Sequence, residues 1–185
     1  MLLRIAKFLK GLRLISLSEC ILSVVQGSVM NDASLQALIE ALKSPNEEVR
    51  DRATRELWQH WFTQKGAQGV SKLQEVQDLV DVGHYLQAEQ SLTALIEAQP
   101  DFAEAWNRRA VLQYTRHHYR RALADCQQVV ALVPFHFGAL HGMGLCHAAL
   151  GEYREAIAAF RRALEIQPHA LVNQRLILEC TARLS

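Results

Sequence analysis

Histidine is the residue type with the clearest chemical potential in this chain, because eight histidines occur among 185 residues. His117 and His118 are adjacent, and His136, His141 and His147 follow within one short stretch. A metal site needs ligands that converge from two elements, or an i, i+4 pair on one helix as a start. His141 and His147 are six residues apart and face different directions on a helix, and the sequence has no HExxH or Cys/His cluster. We therefore expect no metal site.

The glycine-rich run FGALHGMG raises the question of phosphate binding. That chemistry needs a strand leading into a glycine-rich turn, whose free N–H groups meet the anion at a helix start. Here the glycines lie within a helical pattern, where the missing side chains allow close packing. The sequence also shows no GxSxG motif, no activated Cys–His pairing and no paired carboxylates. We expect neither catalysis nor a cofactor.

The four cysteines, Cys20, Cys126, Cys146 and Cys180, show neither CxxC spacing nor a compact disulfide framework. Cys126 and Cys146 fall at apolar helix positions, where free cysteine acts as a small hydrophobic residue. The whole chain is 50% hydrophobic and 21% charged, with a net charge of +1. This composition is typical of a soluble globular protein and gives no case for nucleic acid binding.

A repeat of 34 residues organises the chain around these side chains. Each of three successive stretches ends near a proline: 69–102 at Pro100, 103–136 at Pro134 and 137–170 at Pro168. Three further columns align in the same register: Tyr85, Tyr119 and Tyr153; Ala88, Ala122 and Ala156; Leu92, Cys126 and Phe160. A fixed period of this size marks an array of helical repeats.

Each repeat divides into two amphipathic helices. In the middle unit, Ala103, Trp106 and Ala110 form one apolar stripe at helical spacing, and a second stripe follows the turn RHHY. Ala110 and Gly144 share a column of small residues, where we expect two helices to approach closely. The proline stops the second helix because it lacks an N–H and clashes with the preceding turn.

The pattern resembles the tetratricopeptide repeat, with its tryptophan, small residue, tyrosine, alanine, aromatic residue and proline. The match is strongest in EAWNRRA and in LGEYREAIAAFRRALEIQP. The resemblance implies an all-α, right-handed α-solenoid of antiparallel helix pairs. Arg109 occupies a column where the family normally buries a leucine, and a buried charge needs a partner. Glu75 shares that column one repeat earlier, so we predict an Arg109–Glu75 ion pair.

Charge also differs between neighbouring repeats. Residues 69–102 carry one basic and six acidic residues, whereas 103–136 carry five basic and two acidic residues, histidine not counted. Opposite charges of this kind attract and would help to fix the stacking of the two units.

We expect further helices on both sides of the repeats. Residues 30–68 resemble a single HEAT-type hairpin, which would extend the solenoid. There, Ser44, Pro45 and Glu47 together predict a helix start, and Gly66 predicts a helix end. Residues 171–185 are predicted to form a helix that caps the apolar end of the array.

Residues 1–29 combine four basic residues with the mostly apolar run LISLSECILSVVQGSV. This run is short for a bilayer span, and a clear signal-peptide cleavage site is missing. A basic helix on a membrane surface, a disordered segment, and a mature protein that starts at Met30 are all open.

By the resemblance, the first helices of the repeats line a concave groove for a peptide or helix of a partner protein. Asn107 and Tyr114 would hydrogen-bond the peptide backbone, while Val111 and Leu145 would form an apolar floor. The full set of groove residues is Leu73, Gln77, Val80, Asn107, Val111, Tyr114, Thr115, His141, Leu145 and Ala148. The sequence thus favours a cytoplasmic adaptor or assembly factor.

One subclass of the family binds the C-terminal carboxylate of chaperones through lysine, asparagine and arginine. The corresponding positions here hold Leu73, Gln77, Arg108, Gly138 and Gly142, so only Arg108 is suited to that role. We therefore do not expect a chaperone-tail clamp.

Two alternatives to the adaptor remain. The first is a peripheral membrane scaffold that docks on lipid through residues 1–29 while the repeats hold a partner. The second, RNA binding, is disfavoured because few aromatic residues for base stacking are interleaved with the arginines. Those arginines are Arg108, Arg109, Arg116, Arg120 and Arg121.

Overall fold

The computed structural model describes residues 31–185. Within that range, all regular secondary structure is α-helical, which confirms the predicted all-α fold of helix pairs. The helices are α1 (Asp32–Ala41), α2 (Glu47–Thr63), α3 (Gly66–Asp81), α4 (Tyr85–Ala98), α5 (Ala103–Thr115), α6 (Tyr119–Leu132), α7 (Phe137–Ala149), α8 (Tyr153–Ile166) and α9 (Leu171–Thr181). The interpretations of residues 1–29 concern a segment outside this range. No helix between residues 31 and 185 is long and apolar enough to cross a membrane.

The chain divides into two compact units, with the boundary between Glu75 and Val76. The first unit contains α1 and α2, which pack against each other. Its core includes Leu42, Leu57 and Trp61, all nearly inaccessible to solvent.

The predicted start of α2 was wrong by two residues. The helix begins at Glu47, and its cap is Asn46, whose Oδ1 accepts a hydrogen bond from the N–H of Glu48 at 2.9 Å. Ser44 instead accepts a bond from the N–H of Asn46, at 3.2 Å, and so belongs to the preceding turn. Asparagine caps a helix as well as serine does, so the caps alone do not distinguish the two positions.

The second unit contains α4 to α9 and the last residues of α3. Each helix from α4 to α9 packs against the next, and α5 also packs against α7, the first helix of the following repeat. The turns between paired helices use a left-handed residue in one column of the repeat. The residues are Gly83 (φ 82°), His117 (φ 64°) and Gly151 (φ 80°). Two of the three positions thus hold glycine, the residue type for which a left-handed conformation is least costly.

The expected close approach of helices at the small-residue column is confirmed at Gly144. A Cβ atom added there would lie 2.4 Å from Cε1 of Phe160, which is fully buried on α8. This distance is far below van der Waals contact. The absent side chain is therefore what allows the aromatic ring to pack directly on the α7 backbone.

Ion pairs join the first and middle repeats, as the opposite charges suggested. Glu89 on α4 pairs with Arg116, just after α5, and its other carboxylate oxygen lies 3.9 Å from Arg121 on α6. Arg121 is largely exposed, so the Arg116–Glu89 pair carries most of this contact.

Candidate partner-binding surface

Three of the ten residues predicted to line the groove are buried. Leu73, Asn107 and His141 expose 0%, 2% and 8% of their surface, so they do not offer contact area to a partner. This corrects the prediction for those three positions. The other seven are partly exposed: Gln77, Val80, Val111, Tyr114, Thr115, Leu145 and Ala148. We refer to these seven as the first-helix surface, since all lie on α3, α5 and α7.

Asn107 is buried because it belongs to a polar network on the first helices. Its Nδ2 donates to Oε2 of the buried Glu104 at 3.0 Å, and Arg108 Nε donates to Oε1 of the same carboxylate at 2.9 Å. Arg108 Nη1 then donates to Oε1 of Gln77 on α3 at 2.9 Å. The network therefore links the first helices of two neighbouring repeats and satisfies a carboxylate that would otherwise be costly to bury.

Glu104 remains a carboxylate despite its complete burial. Burial would raise its pKa, but the contact with His136 and the positive charge of Arg108 together lower the pKa below its ordinary value. His136 Nε2 lies 3.9 Å from Glu104 Oε2, while its Nδ1 accepts the N–H of Ala139 at 3.1 Å and caps α7. A partial signal for this network is visible in the sequence, because Glu104 and Arg108 have the i, i+4 spacing of a helical ion pair.

His141 is buried by the last helix. Its Nδ1 lies 2.6 Å from Oδ1 of Asn173 on α9, and both side chains are almost inaccessible. Burial lowers the pKa of His141, although the contact with Asn173 partly opposes this shift. Leu145 and Ala148 pack against the adjoining core cluster, which includes Phe160 and contacts Leu176 and Ile177 of α9. Helix α9 therefore packs mainly on α8, and its Asn173 reaches His141 on α7.

Tyr114 is the main hydrogen-bonding side chain of the first-helix surface. Burial, with smaller contributions from Cys146 and Tyr119, raises the pKa of Tyr114 to about 12. Its ring centroid lies 5.3 Å from that of Tyr119, so the ring is held in place by aromatic packing. The phenol stays protonated at physiological pH and can donate a hydrogen bond to a bound backbone carbonyl.

The predicted Arg109–Glu75 pair was wrong. Arg109 forms a bidentate ion pair with Asp125 on α6, and its Nη1 donates to Thr93 on α4 at 3.0 Å. Its guanidinium carbon also lies 5.0 Å from the centre of the Trp106 ring. Glu75 instead binds Lys72 on the surface of α3. The arginine is thus paired within its own repeat, across the hairpin.

The histidines serve separate structural contacts. No three histidine, cysteine, aspartate or glutamate residues converge to hold a metal ion in the part of the chain that the structure describes. His117 Nδ1 contacts the Tyr119 hydroxyl at 2.6 Å, and His147 Nδ1 contacts Glu152 at 2.7 Å. The partners of these rings are therefore side chains of the turns between paired helices.

Comparison with known proteins agrees with this helix arrangement. Models of the tetratricopeptide repeat match residues 73–116 and residues 138–170. The matched segments include α5 and α8, which carry the strongest parts of the sequence pattern. These two segments of the chain are tetratricopeptide repeats.

A TPR repeat-containing protein of Rhizobium etli is 39% identical over 77 residues, which are 42% of this chain and 38% of that protein. The chain thus matches well under half of this relative's length. Among solved structures, the first TPR of Spaghetti (RPAP3), bound to the HSP90 peptide SRMEEVD, has a TM-score of 0.60 at 22% identity, covering 62% of this chain and 91% of that one. MamA has a TM-score of 0.58 at 17% identity, covering 80% of this chain and 81% of that one. These likenesses show the fold.

Proposed function

We propose that this protein is a non-catalytic interaction module, an adaptor or assembly factor, that binds a peptide or helix of a partner protein on the first-helix surface. The observation that carries the proposal is the contrast between this surface and the residues beneath it. Val111, Tyr114 and Thr115 remain partly exposed, whereas Glu104 and Asn107 on the same helix are buried in a polar network. A surface held by such a network loses little conformational entropy when a ligand binds.

The chemistry of the surface suggests what it binds. It contains four aliphatic residues, Val80, Val111, Leu145 and Ala148, and no charged residue. The Thr115 hydroxyl already donates to the carbonyl of Val111 at 2.9 Å, so the Tyr114 hydroxyl is the more available donor. We expect the partner segment to present apolar side chains and a backbone carbonyl. Its affinity should depend weakly on salt concentration, because no ion pair is formed.

The similar RPAP3 domains bind the peptides SRMEEVD and SGPTIEEVD, which both end in EEVD. At the positions suited to a carboxylate clamp, this chain has Arg108 as its one cation. The side chain of Arg108 is 9% exposed and is held by Glu104 and Gln77. We therefore propose a partner that is not an acidic chaperone tail, and we expect no measurable binding of SRMEEVD.

Affinity purification from the native source tests the proposal when it is combined with surface variants. Val111→Arg places a charge on the apolar part of the surface, and Tyr114→Phe removes only the hydroxyl group. Gln128→Arg, on the exposed side of α6, is the matched control. A direct partner should be recovered with the parent and the control, reduced with Tyr114→Phe and lost with Val111→Arg. Equal recovery with all four proteins would exclude this surface as the binding site.

A further inference from the structure

Helix α9 has an exposed apolar face that the proposed partner-binding surface does not use. Its inner side carries Asn173 and Cys180, which are buried against the rest of the second unit. On the outer side, Leu171 and Leu178 expose 74% and 70% of their surface. The two leucines are seven residues apart, so they lie two turns from each other on one face of the helix.

The outer side of α9 has the spacing of a helix–helix seam. Leu171, Arg175, Leu178 and Ala182 follow one another at intervals of four, three and four residues. This alternation places side chains along one stripe in the way that a and d positions do in paired helices. Ala182 keeps right-handed helical geometry just beyond the last helical residue, so it continues the stripe.

Charge on this face is self-complementary. Arg175 and Glu179 are each about half exposed and lie one turn apart, with Arg175 Nε 3.5 Å from Glu179 Oε1. An antiparallel copy of α9, related by a two-fold axis between Arg175 and Leu178, would set Leu171 against the small Ala182. The same axis would bring Arg175 of each copy beside Glu179 of the other. A two-fold interface needs this kind of self-complementary patch.

We propose that the outer face of α9 binds the same face of a second copy of this chain, forming an antiparallel two-fold dimer. The seam is short, since 11 helical residues span about 16 Å. An interface of this length lies at the small end of specific contacts, so the dimer should dissociate on dilution. The dimer does not use the part of the first-helix surface on α3 and α5. Its formation does not depend on binding of the proposed partner.

Sedimentation velocity of the full chain over a wide concentration range tests this proposal. The parent should shift from monomer to dimer as concentration rises. Leu178→Glu should remain a monomer, because the seam would then bury a carboxylate twice. Leu86→Glu, at a leucine of similar exposure (62%) on α4, is the matched control and should dimerise like the parent. Circular dichroism should show unchanged helix content in both variants, since both sites are exposed.

Charge reversal tests the antiparallel arrangement itself. Arg175→Glu and Glu179→Arg should each weaken the dimer about tenfold, because each places like charges across the axis. The double variant should recover the affinity of the parent, and a mixture of the two single variants should form a heterodimer. The proposal is overturned if the parent stays monomeric, if Leu178→Glu still dimerises, or if the double reversal fails to recover the dimer.

Discussion

Arg109 and Asp125 face each other across the α5–α6 hairpin and form two parallel hydrogen bonds, of 2.8 and 2.9 Å. They lie equally far in sequence from His117, the left-handed residue of the turn. An antiparallel hairpin brings such residues together, so the pairing follows from the turn position. The hydrogen bonds to Asp125 raise the pKa of Arg109, although burial opposes this shift. An arginine in a leucine column is thus accommodated by one acidic residue on the paired helix.

Removal of Arg109 should be strongly destabilising. Arg109→Leu leaves the Asp125 carboxylate buried without its main partner, and we expect a loss of about 2–4 kcal/mol in the free energy of unfolding. Arg109→Leu/Asp125→Leu should recover most of this loss, because no charge is then buried. Urea denaturation measures both effects. Glu75→Ala is the control and should change stability by less than about 0.5 kcal/mol. A larger effect for Glu75→Ala than for Arg109→Leu would contradict this assignment.

Gly144→Ala should destabilise the last repeat, although alanine normally favours a helix over glycine. The added methyl group would overlap three atoms of the Phe160 ring, at 2.4–2.7 Å. We expect a loss of about 1–3 kcal/mol, measured by urea denaturation.

The same two columns hold Ala110 and Cys126 one repeat earlier, which suggests a compensating pair. Phe160→Cys should also destabilise, by leaving a cavity. The double variant Gly144→Ala/Phe160→Cys should be more stable than the sum of the two losses implies. Strict additivity would show that Gly144 and Phe160 are not coupled.

His117→Gly should stabilise the protein by about 1 kcal/mol, because a left-handed conformation costs a non-glycine residue about that much. The two equivalent turns already hold Gly83 and Gly151 at φ values of 82° and 80°. Loss of the exposed contact between His117 and Tyr119 should offset only part of the gain. Thermal unfolding of His117→Gly measures this gain. His118→Gly is the control, because φ at His118 is −85° and glycine has no conformational advantage there. A gain of equal size in His118→Gly would refute the explanation.

Stability should fall on acidification as His141 resists protonation. The pKa of His141 is lowered by burial in the folded protein, so below about pH 6.5 the unfolded chain binds a proton that the folded protein does not. The free energy of unfolding then decreases as pH falls, by at most about 1.4 kcal/mol per pH unit for this group.

Two variants test whether His141 causes this pH dependence of the unfolding free energy. His141→Gln cannot titrate and should flatten the slope of unfolding free energy below about pH 6.5. His169→Gln, at an exposed site, should keep the slope of the parent. If the slope of His141→Gln equals that of the parent, other groups account for the acid sensitivity. Glu104, whose pKa is also lowered, should add a further loss of stability only below about pH 4.5.

The 34-residue period predicted the paired helices because it combines apolar spacing, turn residues and a proline in a constant register. The start of α2 was harder to predict, since Ser44 and Asn46 are both good N-cap residues and lie within three residues of each other. Only the hydrogen bonds of the folded chain distinguish them. Gly144 could be assigned a packing role because its column holds alanine in the preceding repeat.

The site was less predictable from the sequence. A column of the repeat alignment describes the average repeat, and not the side chains that surround a residue in this particular chain. Asn107 occupies a groove column, yet Glu104 one turn earlier draws its amide into a buried network. His141 is removed from the surface by Asn173, 32 residues later, which no local pattern connects to it. The repeat alignment predicts a partner for Arg109 one repeat earlier, whereas reflection about the turn at His117 indicates Asp125.

Binding of a partner protein on the first-helix surface is the proposed function of this chain. Its most direct test is the dissociation constant of the purified partner segment, measured by isothermal titration calorimetry with the parent, Val111→Arg and Gln128→Arg. Val111→Arg should weaken binding at least about tenfold, since a charge would be desolvated at the contact, while Gln128→Arg should match the parent. If Val111→Arg binds with the affinity of the parent, the surface does not hold the partner.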